Sequence, residues 1–319
     1  MPLLTVRGAA APRRLPVVQE DTPATIRSQT HTQPSWPGRA AGARRTGILA
    51  TCANPQCRSG WLHVWRSSET AVFEGGWCCS EGCTVAQVQA ALAREMDGWG
   101  KARENHRHRI PLGLVMLEQG WITQQALRAA LAAQKAAGTG KLGRWLVRQK
   151  GASQELVTRA LGMQWSCPVL DLESHNPEGL APVMPRLFVD AFGALPLRVA
   201  AGRILYLGFE DRLDTALALA MERIAGLRVE CGLVEEIGFR AAHARMLEAR
   251  FPPVELIEAA TETALAAALS KAVERARPVE TRLARVHDCV WMRMWLRLQS
   301  GPLPEPGTIR DVIGSAGLR

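Results

Sequence analysis

The chain has 319 residues, 47% of them apolar, and a formal net charge of +9. That length suits about two domains with a real core. No apolar run approaches the roughly eighteen residues of a membrane-spanning helix, and the start MPLLTVRGAAAPRRL lacks an apolar stretch of signal-peptide length, so the expectation is a soluble, cytoplasmic protein.

Residues 1–46 hold much of the positive charge, with Arg7, Arg13, Arg14, Arg27, Arg39, Arg44 and Arg45 set among Pro, Ala, Thr and Ser. Such a segment has too little apolar surface to offset its ordering entropy, which predicts a disordered basic arm. It reads first as a solvated tail, and second as a weak electrostatic contact for nucleic acid or another acidic partner.

Residues 47–100 contain Cys52, Cys57, Cys78, Cys79 and Cys83, five of the eight cysteines, spaced C-x4-C and then C-C-x3-C. In a chain without an export signal, paired knuckles point to structural zinc before disulfides. Four thiolates close a tetrahedral Zn2+ shell and supply the folding energy that so short a segment lacks. The run Trp77 to Cys83 resembles the F-C-S-x-x-C knuckle of FCS-type fingers. That resemblance selects Cys79 and Cys83, joined by Cys52 and Cys57, with Cys78 or His63 as the alternative ligand. The second knuckle opens a helix through Val85, Val88, Ala91 and Leu92, as in a treble clef. A closed structural site leaves no coordination position for catalysis. Cys167, Cys231 and Cys289 read as buried thiols.

Residues 101–109, KARENHRHR, form a polar basic link whose His106 and His108 are expected to be solvated. Beyond it one pattern occurs twice at an offset of thirty residues: Leu112-Gly113 against Leu142-Gly143, Gln119 against Gln149, Thr123 against Ser153, Leu127 against Val157, and Gln134 against Gln164. Each copy reads as a helical hairpin, with Thr123 or Ser153 capping its second helix. A Gly after Leu exposes backbone to a flat ligand, and a Gln closing a leucine stripe places an amide where an aliphatic residue would pack better. Read singly, these are a turn glycine and a frayed helix end; repeated at one register, they favour a paired site.

The repeat resembles the MshEN domain, the N-terminal domain of type II secretion and type IV pilus assembly ATPases, with its tandem R-L-G-x-x-φ-φ-x-x-G-φ-φ-x4-L-x3-L-x2-Q. The first copy matches at Leu112, Gly113, Met116, Leu117, Gly120, Ile122, Leu127, Leu131 and Gln134, and the second at Leu142, Gly143, Leu146, Val147, Val157, Leu161 and Gln164. The resemblance implies that each copy holds half of a cyclic di-GMP molecule. The implied contacts are Leu112, Gly113, Leu142 and Gly143 as backbone platforms, Gln134 and Gln164 for guanine edges, and Lys141 with Arg109 for charge. Pro111 and Lys141 stand where the family has Arg, and Lys150 stands where the second copy should have Gly, which has slipped to Gly151. Gly138-Thr139-Gly140-Lys141 is not a phosphate-binding loop, because Lys135 and Leu142 occupy positions that need Gly and Ser or Thr.

From Cys167 the predicted elements are a strand to Leu172, a helical passage over 182–192, two strands joined by a turn at 200–202, a helix over 214–224, a strand near 227–231 and a helix over 235–247. This β-β-α-β-α order is similar to the second half of the same ATPase domain, so the resemblance spans about 110–250. Residues 251–300 are read as two helices, Val254–Arg275 and Val279–Leu298, and 301–319 as a flexible tail. The second helix carries Trp291, Met294 and Trp295, set to dock on the sheet domain or on a partner.

The expected class is therefore α+β: an N-terminal zinc finger, a tandem helical-hairpin repeat, a small β-β-α-β-α domain and C-terminal helices. The functional expectation is a non-enzymatic regulator or adaptor that binds cyclic di-GMP and signals to secretion or pilus machinery. The alternatives are a ligand-free interaction scaffold of a secretion system and a zinc-finger nucleic-acid binder. No nucleophile or open metal site is spaced for catalysis.

Overall fold

The computed structural model describes residues 52–58, 71–96, 109–173 and 175–317, all within one unit, Arg39–Arg319. The basic arm, His63, His106 and His108 lie outside the described residues.

A two-stranded hairpin, β1 (Val72–Phe73) and β2 (Gly76–Trp77), leads into α1 (Glu81–Met96). The repeat follows as α2 (Leu112–Glu118), α3 (Gln124–Ala137), α4 (Leu142–Arg148) and α5 (Gln154–Trp165). Thr123 Oγ1 accepts from the Ala126 amide and Ser153 Oγ from the Leu156 amide, so both expected caps form. The copies exchange partners, α2 packing on α5 and α3 on α4. Met116, Ala130, Leu146 and Ala160 fill the shared core.

At the first helix exit the two copies use different residues for the same backbone conformation. Lys150 has φ +56°, and Gly120, thirty residues earlier, has φ +67°. Lys150 stands where the second copy would have Gly, as expected, and takes the left-handed position itself although Gly151 follows it, a conformation costing a non-glycine residue about 1–2 kcal/mol.

The middle domain is built from α6 (Pro177–Leu180), a 3-10 turn (Ala181–Val183), α7 (Arg186–Phe192), β3 (Ala194–Ala200), β4 (Ile204–Phe209), α8 (Thr215–Ala225), β5 (Arg228–Leu233) and α9 (Glu236–Glu248). β4 pairs antiparallel with β3 and parallel with β5, completing the expected β-β-α-β-α run. The strand expected over 167–172 is only a bridge between Val169 and Leu233, since Pro168 has no amide to extend the ladder.

The C-terminal region departs from the two-helix expectation. It forms β6 (Val254–Ala259), α10 (Glu262–Ala276), β7 (Glu280–Val286), β8 (Cys289–Trp295) and β9 (Ile309–Ala316), in a sheet of order β6-β9-β8-β7. The expected flexible tail thus contributes a strand. β8 shows why the segment misled: Val290, Met292 and Met294 pack with α10 and α1, while Trp291 and Trp295 join the middle-domain core. A strand covered on both faces has no polar alternation, so its apolar run matches a helix face equally well. Each fully buried side chain of this size contributes about 1.5–3 kcal/mol.

The C-terminal sheet is therefore the central layer. The finger helix α1 lies on one side of it, where Phe73, Val88 and Leu92 meet Leu269, Leu283 and Val312. At the end of α1, Glu95 accepts from Arg223 of α8, 2.7 Å away, and from the Arg285 amide of β7. Among the described residues no helix is long and apolar enough to cross a membrane.

Candidate functional site

The cysteine cluster assembles from two short segments. Cys52 and Cys57 bracket a turn in which Asn54 Oδ1 accepts from the Gln56 amide, and Cys79 and Cys83 leave β2 and enter α1. Their four sulfurs all lie within 4.8 Å of one another, with Cys57 to Cys79 at 3.5 Å and Cys79 to Cys83 at 3.7 Å. A tetrahedral ion with metal–sulfur bonds of about 2.3 Å needs sulfur edges of about 3.8 Å. The four residues fit such an ion. Cys78 is buried outside this group.

Asn54 Nδ2 donates to Cys83 Sγ at 3.4 Å, orienting that sulfur from outside the cluster. Burial and the adjoining thiols of Cys57 and Cys83 push the Cys79 thiol up to about 12. Burial also acts on Cys83, but hydrogen bonds with Ser80 and Asn54 bring it down to about 7. Four sulfurs this close cannot all ionise side by side; a bound cation removes that conflict. Cys167, Cys231 and Cys289 are only half-buried, short of the expected full burial, and what burial they have raises their thiols, to about 12 for Cys231 and about 11 for Cys289.

In the repeat, the paired residues meet reciprocally. A Cβ on Gly113 would lie 2.7 Å from Leu127 Cδ1 and 3.4 Å from Leu142 Cδ2; one on Gly143 would lie 2.6 Å from Val157 Cγ1 and 3.6 Å from Leu112 Cδ2. Helix approach therefore accounts for both glycines, whose missing side chains face neighbouring helices. The glutamines are reciprocal too. Gln134 Nε2 donates to the Gly140 carbonyl at 2.7 Å, and Gln164 Nε2 to the Ile110 carbonyl at 2.6 Å. Gly140 and Ile110 are themselves thirty residues apart, so each copy's glutamine clamps the segment leading into the other copy's first helix.

The charged positions are not equivalent. Arg109 stacks on Trp165, its guanidinium carbon 3.2 Å from the ring centroid. Lys141 pairs with Asp211 in the loop after β4. Beside it Arg144 reaches Glu210 at 3.1 Å and Glu236 at 2.9 Å, and Arg240 bridges the same two acids. Burial, with the nearby Glu236 charge, raises the Glu210 carboxyl above its usual range. This network was missed in the sequence. Its one signal was Arg144, which breaks the repeat where the first copy has Leu114.

An open cleft of about 1150 Å³ lies beside these groups, lined by Arg109, Trp165, Asp211, Asp214, Phe192 and His287. His287 Nε2 lies 2.6 Å from Asp214 Oδ2, linking the β7–β8 turn to the start of α8.

Over 140 residues the chain is 32% identical to the type IV pilus assembly ATPase PilB of Thermus thermophilus, covering 42% of this chain. This stretch is similar to a pilus ATPase. It bears out the resemblance carried by the tandem motif. The match spans 15% of PilB, so it reaches only a small part of that protein. Among solved structures, MshE with cdg (cyclic di-GMP) aligns at 24% identity and a TM-score of 0.36, covering 43% of this chain and 99% of that one. The N-terminal domain of XpsE aligns at 18% identity and a TM-score of 0.31, covering 42% of this chain and 92% of that one. No protein-family profile matches the chain.

Proposed function

We propose that the chain is a non-enzymatic regulator or adaptor whose tandem repeat binds cyclic di-GMP and passes the bound state to a secretion- or pilus-type partner. The observation that carries this reading is the reciprocity of the two copies. Leu112 reaches toward Gly143 as Leu142 reaches toward Gly113, so each copy places its leucine against the other's glycine. A cyclic dinucleotide has two equivalent halves, so a twofold arrangement of contacts suits it. The cysteine cluster would hold Zn2+ in a structural role, bracing α1 against the C-terminal sheet.

A second reading is a ligand-free scaffold. It is favoured by prior commitments: Lys141 is paired with Asp211, and both glutamines donate to backbone carbonyls. Calorimetric titration of the full chain with cyclic di-GMP, beside Lys141→Ala, separates the two. The Lys141 side chain is 58% exposed, so its removal breaks the ion pair with Asp211 without opening a cavity in a core. Saturable binding weakened in the variant supports the receptor; no heat from wild type supports the scaffold.

A further inference from the structure

We propose that nucleotide binding at the second repeat copy is coupled to docking of the repeat on the middle domain, through competition between the ligand and Asp211 for Lys141. The inference rests on the nucleotide reading above and concerns how that site is regulated.

The argument begins with the asymmetry of the repeat. At the offset of thirty residues, Lys141 and Arg144 of the second copy replace Pro111 and Leu114 of the first. In the second copy, these two cations are the ones that dock α4 onto the middle domain, Lys141 on Asp211 and Arg144 on Glu210 and Glu236. Leu114 is 53% exposed and belongs to no such contact. Two of the residues that break the repeat thus tie α4 to the middle domain, where Leu161 and Trp165 of α5 also pack.

Lys141 is also where the resemblance places a cation for the ligand. A phosphodiester oxygen brought to its ammonium would sit close to the Asp211 carboxylate, and two anions at one cation repel each other. Binding and docking then oppose one another. The pair is open enough for exchange, with side-chain exposures of 58% and 32%. Its release has a route onward. Asp211 lies three residues before Asp214, whose Oδ1 accepts from the Leu217 amide to cap α8 and whose Oδ2 meets His287 of the C-terminal sheet. The same loop lines the open cleft.

The test is titration of full-length wild type and Asp211→Asn with cyclic di-GMP, read by calorimetry and by amide exchange over 209–214. Asp211→Asn removes the competitor and should bind on the order of two- to fivefold more tightly, the range expected for one exposed ion pair. In wild type the ligand should speed exchange in this loop; in Asp211→Asn exchange should be fast already. Equal or weaker binding by Asp211→Asn, with wild type still binding, would overturn the coupling and leave the receptor reading intact. No binding by either protein would overturn both.

Discussion

Arg293 and Asp311 face each other across β8 and β9, each side chain 1% exposed, in a two-point contact of 2.8 and 2.7 Å. Trp291 Nε1 donates to the same carboxylate, and the remaining Arg293 amino group donates to the Val183 carbonyl. One buried ion pair therefore joins the C-terminal sheet to the 3-10 turn of the middle domain. Arg293→Met leaves a buried carboxylate without its cation, a loss of about 3–5 kcal/mol. Adding Asp311→Asn should restore part of it, because no unpaired charge remains and the Asn carbonyl still accepts from Trp291. Urea midpoints of the three proteins check this; a single variant as stable as wild type would show that the pair contributes nothing net.

Metal removal should be felt beyond the finger. α1 covers part of the C-terminal sheet, with Val88, Ala91 and Leu92 in one core with Leu269 and Met292. Elemental analysis is expected to give about one zinc per chain. Cys79→Ser should lose it and lower the thermal midpoint, and chelation of wild type should lower it similarly. If chelation leaves the midpoint and the exchange of β7 amides unchanged, the finger does not brace the sheet.

What was legible in the sequence was whatever repeated or alternated. Thr123 and Ser153 announced their caps, the spacing of five cysteines marked a metal cluster from which the resemblance to a finger knuckle selected four, and the turn before Arg203 separated two strands correctly. What was hidden lay where burial is two-sided or contacts are remote. β8 has no alternation because Val290 and Trp291 face different cores. Its hairpin turn, His287-Asp288, lacks the usual glycine, although His287 takes φ +51°. The partners of Lys141 and Arg144 lie about seventy to ninety residues away, which no local pattern reveals.

Lys150 offers a stabilising substitution. Glycine takes its φ of +56° without a Cβ clash, and the gain is reduced by the greater freedom of glycine in the unfolded chain. Lys150→Gly should raise stability by about 0.5–1 kcal/mol, and Gly120→Lys in the first copy should lower it by about as much. A denaturant midpoint unmoved by both would mean that the left-handed positions are relaxed in solution.

His175 gives the fold a pH dependence whose sign is fixed by its surroundings. Neither ring nitrogen has a hydrogen-bond partner of ordinary geometry, and burial, then the Arg245 charge, hold its pKa below the ordinary value of 6.5, the Pro196 carbonyl offsetting this in part. The folded state thus takes up this proton less readily than the unfolded chain. The contribution is absent well above pH 6.5 and grows unfavourable as pH falls through that value, until the folded state also protonates. Thermal midpoints measured between pH 8 and pH 5 should decline on the acid side, and His175→Gln, which cannot titrate, should show a shallower decline over about the same interval. An identical slope in both proteins would assign the acid sensitivity to other groups, with Glu210 excluded from that role. Its raised carboxyl pKa means the folded state binds that proton more readily, so its contribution has the opposite sign and favours folding as pH falls.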